Sequence, residues 1–215
     1  MRSRTRRAFE GALLALGLTA TSAAARAGSC DELVASARAH EKGGEPEIAL
    51  RQYNDAVVLD PTCSAAWLGL GSLRARTGDP AEAERVYEAA LTHVPSLAEA
   101  VAGRARARRQ LGRAQEAEDD MRAYADGLAS RGEARGSLAA WVELASWLGA
   151  ENRPPAELAC WRRIAELAQT LDPALESRAR ATVSALVWVV GDADPVTHPP
   201  RRDLLRSVAA RLHLR

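Results

Sequence analysis

Residues Ser64–Leu97 read SAAWLGLGSLRARTGDPAEAERVYEAALTHVPSL, and the spacing of large and small side chains in this stretch decides the fold. Trp67, Leu70 and Gly71 stand at i, i+3 and i+4, which places them on one face of an α-helix. After Gly78, the run Asp79-Pro80-Ala81-Glu82 opens a second helix, with Asp79 as N-cap, Pro80 at the first helical position and Glu82 at the third. Ala83, Tyr87 and Ala90 then share a face of that helix, and Pro95 closes it. Small residues at Gly71 and Ala83 let two antiparallel helices approach, while Trp67, Leu70 and Tyr87 fill the seam between them. One such hairpin cannot bury its apolar faces alone, so neighbours of the same kind are expected on either side.

The neighbours are found by shifting the pattern 34 residues each way. In residues 30–63, Leu33 replaces tryptophan and Ala37 replaces glycine, while Gly44, Ala49, Tyr53, Ala56 and Pro61 fall on their counterparts. Ser29 with Glu32 forms a capping-box pattern, Gly43-Gly44 breaks the chain, and Pro46 suits the first turn of the second helix. In residues 98–131, Val101, Ala105, Gly112, Ala117, Met121 and Tyr124 keep the apolar and small character, the closing proline is absent, and a glycine is displaced to Gly103. This unit and these positions resemble the tetratricopeptide repeat (TPR) family, whose members stack 34-residue helix-turn-helix units. The resemblance implies an all-α, right-handed superhelical array of antiparallel helix pairs.

Beyond the polar run Arg131–Ser137, read as a turn or short linker, the pattern loosens. Trp141, Leu144, Ala145 and Leu148, then Leu158, Trp161, Ile164, Ala165 and Ala168, form two apolar stripes, so residues 137–171 read as a degenerate fourth hairpin. Strict 34-residue register puts Trp161 where alanine is usual. Asp172-Pro173 opens another helix with Val183, Leu186, Val187 and Val190 on one face, and after a loop Leu204, Leu205, Val208 and Leu212 form a short amphipathic stripe opposite Arg202, Arg206 and Arg211. Residues 173–215 are expected to cap the array. Trp67, Trp141 and Trp161 read as core, whereas Trp147 and Trp188 fit their stripes less well and are candidates for an exposed anchor.

The first 27 residues have the layout of a secretory signal peptide: a basic MRSRTRR, an apolar core from Gly11 to Leu18, and Ala25-Arg26-Ala27 before the expected cleavage. The competing reading is an Arg-rich tail running into an Ala-rich helix. Thr5-Arg6-Arg7-Ala8-Phe9 resembles a twin-arginine export signal, and Ala27-Gly28-Ser29-Cys30 resembles a lipobox without its leucine. Removing residues 1–27 leaves 24 basic against 27 acidic residues, a net charge of −3, which disfavours a nucleic-acid binder.

No catalytic or metal constellation is expected. His40, His93, His198 and His213 are scattered, Cys160 sits alone in an apolar stripe, and the glycines of Trp67–Gly71 lie within a helix rather than after a strand. Glu116, Glu118, Asp119 and Asp120 read as a solvated helical face. No nucleophile, base and orienting group stand together, so the chain is read as a non-enzymatic scaffold without cofactor.

The TPR resemblance implies that the first helix of each repeat lines a peptide-binding groove, with Val34, Arg38, Leu68, Ser72, Arg76, Arg106 and Arg109 at the groove positions. Arginine forks favour carboxylates, so an acidic or C-terminal peptide is the expected ligand. The Lys and Asn positions of the family's chaperone-tail clamp hold Val34, Gly69, Glu99 and Gly103 instead. In the first repeat Cys30 and Cys63 fall at the same end of the hairpin, where an exported chain would form a disulfide; acylation of Cys30 is the competing fate, and simple unpaired cysteines are the other alternative. The functional expectation is a periplasmic or envelope adaptor, with a lipoprotein spacer anchored through Cys30 and an enzyme accessory domain as the alternatives.

Overall fold

The computed structural model describes residues 30–191, and among them every regular element is an α-helix. Helix α1 covers residues 30–42 and is followed by α2 (Pro46–Leu59), α3 (Ser64–Arg76), α4 (Pro80–His93), α5 (Ala98–Gln110), α6 (Ala114–Ser130), α7 (Ala134–Ala150), α8 (Pro154–Leu171) and α9 (Pro173–Gly191). The expected signal peptide, its twin-arginine and lipobox variants, the Ser29 cap and the 202–212 stripe lie outside the described residues. Two compact units divide the chain, one through Ala117 and one from Glu118 onward. None of the described helices is long and apolar enough to cross a membrane.

In the first unit the hairpin turns are set by Gly44, Gly78 and Gly112, which recur at 34 residues and all have positive φ (+77°, +89° and +77°). A side chain there would strain the left-handed backbone, so glycine ends the first helix of each pair. The second helix restarts at once, with the Asp79 carboxylate accepting from the Glu82 backbone N–H at 3.0 Å and Pro80 following the cap. Cys30, Val34 and Ala37 of α1, Ala49, Tyr53 and Ala56 of α2, and Trp67, Leu70 and Leu73 of α3 belong to one continuous core. Cys30 and Cys63 form a disulfide across its edge, with Cα atoms 6.6 Å apart.

A tyrosine–glycine contact repeats through this core. A Cβ on Gly69 would overlap the Tyr53 ring, and one on Gly103 would overlap the Tyr87 ring. A Cβ on Gly71 would also come within 2.6 Å of Tyr87. Gly103 is therefore not a displaced Gly71, as the sequence pattern suggested; it is the 34-residue counterpart of Gly69, and Ala105 takes the place of Gly71. Gly69 and Gly103 each admit the tyrosine of the preceding helix, and Gly71 admits that of the following one. Gly103→Ala gains about 1 kcal/mol of helix propensity but must push a ring that is only 5% exposed, and overpacking of this kind costs about 1–3 kcal/mol. Urea unfolding should therefore register a net loss, whereas Gly127→Ala, with nothing within 4 Å of its Cβ, should be neutral or stabilising.

The second unit departs from the 34-residue period for a visible reason. Helix α6 has 17 residues against 14 in α4, and α7 has 17 against 13 in α3, so the next hairpin turn falls at Asn152 (φ 56°), 40 residues after Gly112. Asparagine is among the few non-glycine residues that accept this conformation. In the corrected register Trp141 stands for Trp67, Leu144 for Leu70, Pro154 for Pro80, and Trp161 for Tyr87. Trp161 thus occupies an aromatic position; it is half-buried, with its indole N–H donating to Glu157 at 3.0 Å.

Two local readings are corrected here. Only residues 131–133 form the break after α6, because Ser137 is fully buried and belongs to the core face of α7. Glu118 and Asp120 are buried rather than solvated; Glu118 takes Arg153 Nη1 at 2.6 Å and pairs also with Arg122. Trp147 is buried and Trp188 is 51% exposed. Cys160 is buried, and that burial pushes its thiol up to about 11.

Candidate peptide-binding groove

A groove with a cavity of about 870 Å³ lies along α1 and α3. On α1, Arg38 and Lys42 stand one turn apart and line it; on α3, Leu68, Ser72 and Arg76 line it at successive four-residue steps. Glu99 at the start of α5 completes the lining. Tyr53 reaches the groove from α2 because Gly69 leaves its ring room to pass α3.

The polar groups of the groove are already organised. Glu41 accepts from the Tyr53 hydroxyl at 3.0 Å and pairs with the Arg76 guanidinium. Burial, reinforced by the Glu41 carboxylate, raises the Tyr53 pKa above that of an ordinary phenol, so the hydroxyl remains a donor at neutral pH. Against the two carboxylates stand three cations, which leaves the lining with a single positive charge. No group of three or more metal-ligating side chains occurs among the described residues.

Of the residues that the TPR resemblance assigned to a groove, Arg38, Leu68, Ser72 and Arg76 share this cavity. Val34 is 3% exposed and packs in the core beneath, so it offers no groove surface. Arg106 and Arg109 lie on α5 outside the lining of this cavity, and Arg106 stands close enough to Tyr87 to act on its ionisation. Lys42, Glu41, Tyr53 and Glu99 were missed. Tyr53 reads as pure core until Gly69 is recognised as the residue that lets it through.

Comparison with known proteins agrees with the helical-repeat fold. The sequence matches the tetratricopeptide repeat family over residues 34–97 and again over 70–137. The chain is a tetratricopeptide repeat protein. No curated protein matches its sequence. Among solved structures it is similar to BtubC (BKLC) from P. vanneervenii, at 16% identity and a TM-score of 0.61, covering 88% of each chain. It is also similar to the nearly identical TPR-like repeats of a protein from Podosopora anserina, at 16% identity and a TM-score of 0.60, covering 86% of this chain and 97% of that one. A third similarity is to a tetratricopeptide repeat protein from Parabacteroides merdae, at 17% identity and a TM-score of 0.58, covering 86% and 72%. At these identities the likeness concerns the fold. As a TPR protein the chain is a protein–protein interaction scaffold built from a family that is generally non-enzymatic. Its groove offers fixed hydrogen-bond donors and an apolar floor, an arrangement suited to holding a peptide.

Proposed function

We propose that this protein is an adaptor of the bacterial periplasm or cell envelope whose α1–α3 groove holds an acidic or carboxylate-terminated segment of a partner protein. The observation that carries the reading is the convergence of Arg38, Lys42 and Arg76 around Leu68 and Ser72 in one cavity. A carboxylate entering there meets two cations on α1, and a guanidinium on α3 that now holds Glu41 and is 57% exposed. Bidentate arginine contacts give such a site its preference for carboxylates. Export is supported by the signal-peptide layout of the first 27 residues and by the Cys30–Cys63 bond, which suits an oxidising compartment. A sulfur held in that bond is also unavailable to an acyl chain, which favours the adaptor over the lipoprotein spacer.

Selection of a displayed peptide library with free C termini on the full chain tests the proposal. Acidic or carboxylate-terminated peptides should be enriched, and Arg38→Glu/Arg76→Glu should weaken their binding by about tenfold or more, since two charge-assisted contacts are reversed. Enrichment of basic peptides, or equal binding by the double variant, overturns it.

A further inference from the structure

The charges of the groove are divided between its two ends. Helices α3 and α5 each join α4 through a short turn, pack along it and run opposite to it, so they run parallel to one another. A Cβ on Gly71 of α3 or on Gly103 of α5 would meet the same Tyr87 ring, which sets those two glycines level. Glu99 stands four residues before Gly103, and Arg76 stands five residues after Gly71. At roughly 1.5 Å of rise per residue the two charges are about 13 Å apart along the helix axes. Arg76 shares its end with Glu41, which it pairs, and with Lys42, the last residue of α1. Glu99 is the only charged group that α5 adds to the lining; it is exposed, and among the described residues it has no ion-pair partner.

We propose that Glu99 is a specificity-determining residue of the groove, taking a lysine or arginine side chain of the bound peptide about four residues away from the carboxylate held at the Arg76 end. The proposal rests on the carboxylate reading above and adds a second requirement to it. An extended peptide advances roughly 3.3 Å per residue, so about four residues cover the distance between the two ends. Leu68 lies between them and offers the intervening residues an apolar contact. A uniformly acidic peptide satisfies the basic end but brings like charge to Glu99, whereas a basic side chain there is matched. Glu99 therefore sorts among carboxylate-bearing peptides by charge and by spacing. As a first-turn acid it also complements the dipole of α5, but that role is indifferent to which peptide is bound.

Fluorescence anisotropy on the full chain tests this, using labelled alanine–serine peptides that end in aspartate with a free carboxylate and carry one lysine or one glutamate about two, four or six residues upstream. The wild type should bind the lysine peptide about fivefold more tightly than its glutamate counterpart at the middle spacing, with a smaller advantage at the other two. Glu99→Gln should erase that preference and Glu99→Lys should reverse it. The same ranking in all three proteins, or a loss in the variants that is equal for every peptide, overturns the role of Glu99; continued dependence on the terminal aspartate then leaves the groove reading standing. Binding that survives replacement of the terminal aspartate by asparagine amide overturns both.

Discussion

Reducing the Cys30–Cys63 bond is expected to lower the stability of the first repeat by about 3–4 kcal/mol, the loop-closure contribution of a bridge spanning 33 residues of sequence. The bond ties the start of α1 to the entry of α3, and Cys30 itself is 1% exposed, so opening it loosens the edge of the core as well as the unfolded-state constraint. A repeat at the end of the described array has a neighbour on one side only, and α1 should therefore fray before the rest. Thermal unfolding with and without TCEP should differ by about 10–20 °C for the transition that includes α1 and α2. Midpoints agreeing within a degree or two would mean that the bond does not hold the repeat.

Glu84→Ala should be nearly as damaging. The Glu84 side chain is 10% exposed and accepts from Arg108 Nε at 2.7 Å and from Arg113 Nη1 at 2.6 Å. Arg108 is itself 13% exposed, so the variant removes the closest carboxylate from a cation that water barely reaches. Breaking a buried pair from one side costs about 3–5 kcal/mol, and the Glu88 contact to Arg108 at 3.2 Å should hold the loss near the lower end. Hydrogen exchange in α4 and α5 should accelerate by about a hundredfold. The double variant Glu84→Met/Arg108→Met should recover most of that loss, because it removes both charges and keeps the volume. Glu82→Ala, which breaks only the exposed pair with Arg85, should change little. A loss in the double variant as large as in Glu84→Ala would show that packing, not the charge pair, sets the cost.

These buried pairs mark where the sequence was hardest to read. Glu84 and Glu118 occupy the same repeat position, 34 residues apart, and both are buried, yet Glu118 sits among other carboxylates and reads as solvent-facing in sequence. Their partners Arg108 and Arg153 lie 24 and 35 residues further on, so the pattern of a single helix cannot reveal them. The hairpins of the first unit were legible because glycine at the turn and proline after the cap act locally. The second unit hid its register because the six extra residues are absorbed inside α6 and α7 as additional helical turn, which leaves no sequence mark. Trp147 and Trp188 looked alike from their stripes, and they were separated only by which helix faces carry a neighbour. For the groove, the positions that the family resemblance implied include Arg38, Leu68, Ser72 and Arg76, all on first helices. The resemblance missed Tyr53 and Glu41, which enter through a glycine gap and a hydrogen bond between helices.

The central claim, that the α1–α3 groove is the peptide site, is tested most directly by mapping a library-selected acidic peptide onto the isotopically labelled full chain by NMR. The account predicts that titration perturbs the amides and side chains of Arg38, Tyr53, Leu68, Ser72 and Arg76, and that Glu41→Gln, which frees Arg76 from its internal carboxylate, tightens binding. Perturbations confined to surfaces away from α1 and α3, with the groove resonances unmoved at saturation, would contradict it.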